Sequence, residues 1–233
     1  MLILAFETSA KAGSVALLQD KKLLGESYQN TGLTHSQTIM TMAEDLLQAC
    51  GKTPQEIEAV AVAAGPGSFT GVRIGVAAAK GFAWGAEIPC YGVSTLEAMA
   101  EGLGVFEGTV VCTMDARRSQ VYNAVFKAEA GKLTRLCEDR AIALEELKEE
   151  LLKIQGPIYL VGDGSNLTYN TLQAEVSGLI LPPEYKMHQR AVGVGLVASA
   201  MAENGEGGDA NALTPNYLRL SQAERERLAR EQK

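Results

Sequence analysis

The chain has 233 residues, 46% hydrophobic and 21% charged, which fits one or two globular domains and excludes a disordered chain. Its formal net charge of −7 argues against a free-standing nucleic-acid binder, which needs a basic surface; work on nucleic acid would call for a partner that supplies positive charge. With only two histidines, His35 and His188, a histidine-rich metal centre is excluded.

The N-terminal run Met1–Phe6 has no basic segment and meets Glu7 after six residues, so it reads as a first strand and not as a signal peptide. A small-residue turn, Thr8-Ser9-Ala10, leads to strand candidates Ser14–Leu18 and Leu23–Tyr28. A helix begins near Thr34: Ile39, Met42, Ala43, Leu46 and Cys50 recur at helical spacing, and Gly51 ends it. The apolar run Glu58–Ala64 reads as a buried strand and Val72–Trp84 as a helix. Between them lies Gly65-Pro66-Gly67-Ser68-Phe69-Thr70-Gly71.

That loop has the outline of a phosphate site. Gly65 and Gly67 would bring backbone N–H groups close to an anion, Ser68 and Thr70 would donate to it, and the helix dipole would help. It is not a Walker A sequence, because no Gly-Lys-Ser/Thr ends it. A Rossmann reading wants an acid after the next strand, whereas Glu87 precedes it. The other reading is a tight strand-to-helix turn that binds nothing, with Ser68 capping the helix.

The pattern then starts again. Thr109–Met114 is a strand, followed by Asp115 and a turn, Ala116-Arg117-Arg118. Strands at Val121–Phe126 and Leu133–Cys137, a helix at Glu145–Ile154 and a strand at Pro157–Val161 follow. A second glycine turn, Gly162-Asp163-Gly164-Ser165, opens a helical stretch. The apolar segment Ala191–Ala202 is one helix long, short of a membrane span. Residues 221–233 form a charged tail to which no function is assigned. Cys50, Cys90, Cys112 and Cys137 form no Cys-x-x-Cys pair and read as small buried hydrophobes of a reducing, cytoplasmic compartment.

Strand, acid, turn, two strands, helix, strand and glycine turn thus occur twice. This predicts an α/β fold of duplicated ribonuclease-H-like type, with mixed-sheet subdomains at residues 1–104 and 105–220. Actin, Hsp70 and sugar kinases share that architecture, and their first-strand acids hold metal and phosphates. Glu7 and Asp115 fall at those positions, here as vestiges; the alternative is a pair of carboxylates capping turns in solvent.

Five stretches, in order along nearly the whole chain, carry a resemblance. They are Ile3-Leu4-Ala5-Phe6-Glu7-Thr8-Ser9, GPGSFTGVRIG at Gly65–Gly75, GVSTLEA at Gly92–Ala98, Asp115-Ala116-Arg117 with Val121-Tyr122, and Pro215-Asn216-Tyr217-Leu218-Arg219. Together they resemble the bacterial TsaB family, also called YeaZ. The first-strand acid, usually aspartate in that family, is Glu7 here. The resemblance implies a non-catalytic subunit that binds and activates its paralogue TsaD, which transfers a threonylcarbamoyl group to the adenosine beside the tRNA anticodon. It also implies an ATPase, TsaE, in a larger complex, and contact with tRNA through that complex. No cofactor is expected of this chain itself, while a nucleotide at the partner interface stays open. TsaD proteins carry a His-x-x-x-His metal pair that falls on Thr95 and Met99 here. A hydroxyl and a thioether replace two imidazoles poorly, so neither metallopeptidase nor independent transferase activity is expected. The competing reading is an ATP-dependent phosphotransferase of the same superfold.

The partner surface is expected on two helices. Gly71, Gly75, Ala79 and Ala83 recur every four residues, and Gly81 and Gly85 form a second pair. Each glycine inside a helix costs about 1 kcal/mol relative to alanine, which close approach to a partner or to this chain's own sheet would offset. Ile39, Met40, Ala43 and Leu47 on the earlier helix, with Gly75, Ala79 and Ala83, are the predicted interface, and the same patch would form a homodimer when the partner is absent. Arg73, Arg117 and Arg118 would meet tRNA phosphates or an interface nucleotide, or else make ordinary surface ion pairs.

Overall fold

The computed structural model describes residues 1–104 and 107–219; the predicted charged tail lies outside them. Two mixed sheets share one strand order. The first contains β1 (Leu2–Glu7), β2 (Gly13–Gln19), β3 (Lys22–Gln29), β4 (Ala59–Gly65) and β5 (Cys90–Ser94), in the order β3-β2-β1-β4-β5. The second contains β6 (Gly108–Asp115), β7 (Gln120–Glu129), β8 (Lys132–Arg135), β10 (Ile158–Val161) and β11 (Leu179–Ile180), in the order β8-β7-β6-β10-β11. A further strand, β9 (Arg140–Ala143), pairs with β7. In each sheet the first strand is antiparallel to the second and parallel to the fourth. The duplication read from the sequence is therefore present as topology.

β1 is buried along its whole length, because helices cover both faces of its sheet. Leu2, Leu4 and Phe6 alternate onto the side of α1 (His35–Ala49) and α2 (Phe69–Ala86), with Val60 and Val62 of β4. Ile3 and Ala5 face the other way, with Ala59, Ala61 and Ala63, against α7 (Ala191–Glu203). In the second sheet Val110, Cys112 and Met114 meet α3 (Thr95–Leu103), while Val111 and Leu160 meet α4 (Leu144–Leu151) and α5 (Ser165–Leu172). A one-turn helix, α6 (Glu184–Met187), leads into α7.

The boundary at residues 104/105 needs correction as a packing boundary, because the halves exchange their last helices. Leu96, Met99, Ala100 and Leu103 of α3 pack on the second sheet. Val194, Val197 and Ala198 of α7 return to the first. The two helices cross where a side chain on Gly193 would collide with the Ala98 carbonyl and crowd Gly102. The start of α7 is fastened to the first sheet: Ser14 accepts from the Ala191 N–H, and Glu26 accepts from Val192 at 3.2 Å and pairs with Arg190.

The predicted interface residues also need correction. Ile39, Ala43, Leu47, Ala79 and Ala83 lie in the chain's own core, and Gly75 is buried. Gly71 and Gly75 are required by contact with Thr8: a methyl on either would collide with the Thr8 carbonyl or hydroxyl oxygen. The small-residue stripe of α2 thus seats the helix on β1 and β4. Only Met40 of the predicted set is exposed, at 45%. Cys90 and Cys112 are buried as expected, whereas Cys50 and Cys137 are only half-buried.

Candidate functional site

The C-terminal ends of β1 and β6 open onto a cleft of about 610 Å³ between the two sheets. Its walls include Ser9 and Lys11 after β1, Ser68 and Thr70 at the start of α2, Asp115 and Arg117 after β6, and Asp163 after β10. The duplicated topology brings these segments together, since each follows a central strand of its sheet.

Glu7 and Asp115 occupy equivalent positions but different environments. Glu7 is fully buried; one carboxylate oxygen accepts from the Ser9 N–H at 2.5 Å, and the other has no partner among the described residues. Burial pushes its pKa up to about 7, against the opposing pull of the Ser9 hydrogen bonds. Asp115 is exposed and accepts from the Arg117 N–H at 2.7 Å, which closes its turn. A third acid, Asp163, accepts from Gln189 Nε2 at 3.0 Å. It is open to solvent in the cleft yet ringed by protein, and that desolvation raises its pKa. Among the described residues, no group of three or more His, Cys, Asp or Glu side chains could hold a metal ion.

The glycine loop is built against its own chain. A Cβ on Gly65 would lie 2.5 Å from the Asn216 carbonyl oxygen, and one on Gly67 2.5 Å from that of Ser9. The Ser68 N–H donates to Ser9 O at 2.6 Å, Thr8 Oγ1 donates to Gly71 O at 2.8 Å, and Ser68 Oγ caps α2 by accepting from Gly71. Close approach of the loop to the Thr8-Ser9 turn, and of Gly65 to Asn216, thus accounts for its glycines without a ligand. Ser68 and Thr70 remain exposed on the cleft wall. Glu87 caps the far end of α2 in a left-handed conformation, away from the cleft.

Two roles at the cleft were not read from the sequence. Asp163 sits in the second glycine turn, at the place the repeat assigns to the Gly65 loop in the first half, and that correspondence was the available signal. The second is a strap. Asn216 N–H donates to Ala64 O at 2.6 Å, Tyr217 stacks on Phe69 at 4.7 Å, and Arg219 donates to Ala116 O at 2.5 Å. The Pro215–Arg219 motif therefore joins the α2 wall to the Asp115 wall. Arg73 completes the stack, 3.8 Å over the Phe69 ring and donating to the Tyr217 hydroxyl at 2.7 Å.

The GVSTLEA stretch also has a structural account. Leu213 fills the space beside Gly92, and Ser94 caps α3 and donates to Asp139 at 2.6 Å. Glu97 pairs with Arg135 at 2.6 Å. Thr95 and Met99 are buried, Met99 in the core beneath α3.

Comparison with known proteins follows the same lines. The model of the family "TsaD: tRNA N6-adenosine threonylcarbamoyltransferase" matches residues 29–227. The tRNA threonylcarbamoyladenosine biosynthesis protein TsaB of Bacillus subtilis is 32% identical over 224 residues, 96% of each chain. The chain belongs to the TsaB family. YeaZ from Pseudomonas aeruginosa superposes with a TM-score of 0.76 at 26% identity, over 93% of this chain and 99% of that one. Component A of (R)-2-hydroxyglutaryl-CoA dehydratase from Acidaminococcus fermentans, at TM-score 0.51 and 13% identity over 87% of this chain and 99% of that one, shares the fold alone. No helix among the described residues is long and apolar enough to cross a membrane.

Proposed function

We propose that this chain is the non-catalytic subunit of a cytoplasmic tRNA threonylcarbamoyladenosine-forming complex, in which it binds and activates a TsaD protein. The observation that carries the reading is full-length similarity to a TsaB protein combined with a match to the TsaD family model, in a chain with a buried threonine and methionine where TsaD proteins place a histidine pair. A hydroxyl and a thioether inside a core have neither the ligand strength nor the access for a catalytic metal. The glycine loop supports the same reading against a phosphotransferase, because its close contacts go to the chain's own backbone.

The TsaD-binding face is the outward side of α1 and α2. Trp84 is 55% exposed and Met40 45%, large apolar side chains on faces that are otherwise polar or small. Around Trp84, Gly81 and Gly85 have no atom within 4 Å of where a Cβ would stand, and Phe82, Ala78 and Ile74 are half-buried. A shallow apolar patch with small residues at its centre admits a second helix at close range. The same face would make a homodimer when TsaD is absent, and TsaE would join the assembled pair. Reconstitution tests the function: threonylcarbamoyl transfer to tRNA by TsaD from the same cell, with and without this chain. Stimulation supports the reading. Equal rates, together with ATP turnover by the isolated chain, would favour the phosphotransferase.

A further inference from the structure

The cleft rim collects exposed and half-buried cations and an aromatic stack in a chain whose formal charge is −7. Lys11, Arg117 and Arg219 line the cleft, and Arg73 and Arg118 adjoin it. The ordinary role for such arginines is a surface ion pair. Among the described residues, however, Arg73, Arg117 and Arg118 have no carboxylate within salt-bridge distance. Arg117 and Arg118 stand on a turn whose backbone is left-handed at both, with φ of 63° and 57°, a region that glycine or asparagine enters more cheaply. Tyr217, which lines the same cleft as Arg117, is stacked on Phe69 and is still 41% exposed.

We infer that this rim, made by Phe69, Arg73, Tyr217, Arg117 and Arg118, is a docking surface for a single-stranded segment of RNA. A base stacks on the Tyr217 platform and neighbouring phosphates meet the arginine turn. An aromatic ring braced by a guanidinium beside exposed arginines is the combination that holds single-stranded nucleotides. A free nucleoside triphosphate fits less well. The glycines that would cradle its phosphates are closed against Thr8, Ser9 and Asn216, and Asp115 and Asp163 stand inside the cleft, where they would repel it. Arg73 and Arg118 are not among the residues that line the cleft, whereas Asp115 and Asp163 are, so a longer polyanion can reach those two cations from outside it. The inference rests on the tRNA role proposed above and deepens it, by giving this acidic subunit its own contact with the substrate.

The test titrates unmodified tRNA against the complex of this chain with TsaD, between 50 and 200 mM salt, after light scattering has established the mass of the complex. Arg117→Gln with Arg118→Gln should weaken binding several-fold and lower the slope of log K against log salt by roughly 1–2. Tyr217→Ala should weaken it about 5- to 100-fold with the slope unchanged, and Tyr217→Phe, which keeps the ring, should restore most of the loss. Intact mutant complexes with wild-type affinity and slope would overturn the inference while leaving the proposed function standing. So would variants that lose ATP binding by the isolated chain and keep tRNA binding, since the ligand would then be a small nucleotide. Failure of the wild-type chain to join TsaD at all would show in the mass measurement, before tRNA is added, and would bring down both readings. If Tyr217→Ala does not fold, the arginine pair on its exposed turn decides the matter.

Discussion

At the scale of single residues, Glu7 is where burial and charge conflict most directly. Its pKa of about 7 lies above the ordinary 4.5 because the carboxyl is fully enclosed. Between those values the folded chain holds a proton that the unfolded chain has released. The stability linked to Glu7 is therefore complete below pH 4.5 and lost as pH rises through 7. The shift corresponds to a loss of roughly 3 kcal/mol. Urea unfolding midpoints between pH 5 and 8 should fall with pH in the wild type and flatten in Glu7→Gln; equal slopes would contradict the account. The sequence made the location of this acid legible, since it ends an apolar first strand and recurs as Asp115 in the second half. It could not reveal that one copy is buried and the other exposed. That difference is a matter of tertiary contact, which the spacing of residues along the chain does not record.

At the scale of elements, α2 shows what periodicity can and cannot decide. A four-residue repeat of glycine and alanine identifies a face that something approaches closely, but a partner and the chain's own sheet impose the same requirement. Here the sheet is the answer for Gly71, Gly75, Ala79 and Ala83, and the exposed face carries Gly81, Trp84 and Gly85 instead. The two faces predict opposite responses. Gly71→Ala should lose about 1–3 kcal/mol, because the new methyl meets the Thr8 carbonyl in a filled core. Gly81→Ala, with nothing within 4 Å, should gain up to about 1 kcal/mol from helix propensity. Chemical denaturation of the isolated chain checks both, and a stable Gly71→Ala would refute the assigned faces. Ala43→Arg and Ala79→Arg, which a surface reading would treat as interface variants, bury a guanidinium in the core instead and are expected to prevent folding. Short elements escaped the sequence for a related reason: β9 and β11, of four and two residues, are set by pairing with longer neighbours and carry little pattern of their own.

At the scale of the whole molecule, the duplication was legible because it needs only the order of elements, and the shared strand order of the two sheets bears it out. The exchange of α3 and α7 between the halves was not, since an apolar helix does not record which sheet it covers. That exchange, together with the Pro215–Arg219 strap, ties the two sheets into a body whose cleft is walled by both. The cleft keeps the outline of a phosphate site, but its glycines serve internal packing. Trp84, with Gly81 and Gly85 beside it in sequence, stands exposed on the outer side of α2. This arrangement fits a subunit that acts through the surface it offers to a partner. The most direct measurement is the mass, by light scattering after size exclusion, of this chain mixed with TsaD from the same cell, for the wild type and for Trp84→Arg. The account predicts a new species at the summed mass for the wild type, and two separate folded proteins for Trp84→Arg. A wild-type chain that stays apart from TsaD, with or without ATP and TsaE, would contradict it.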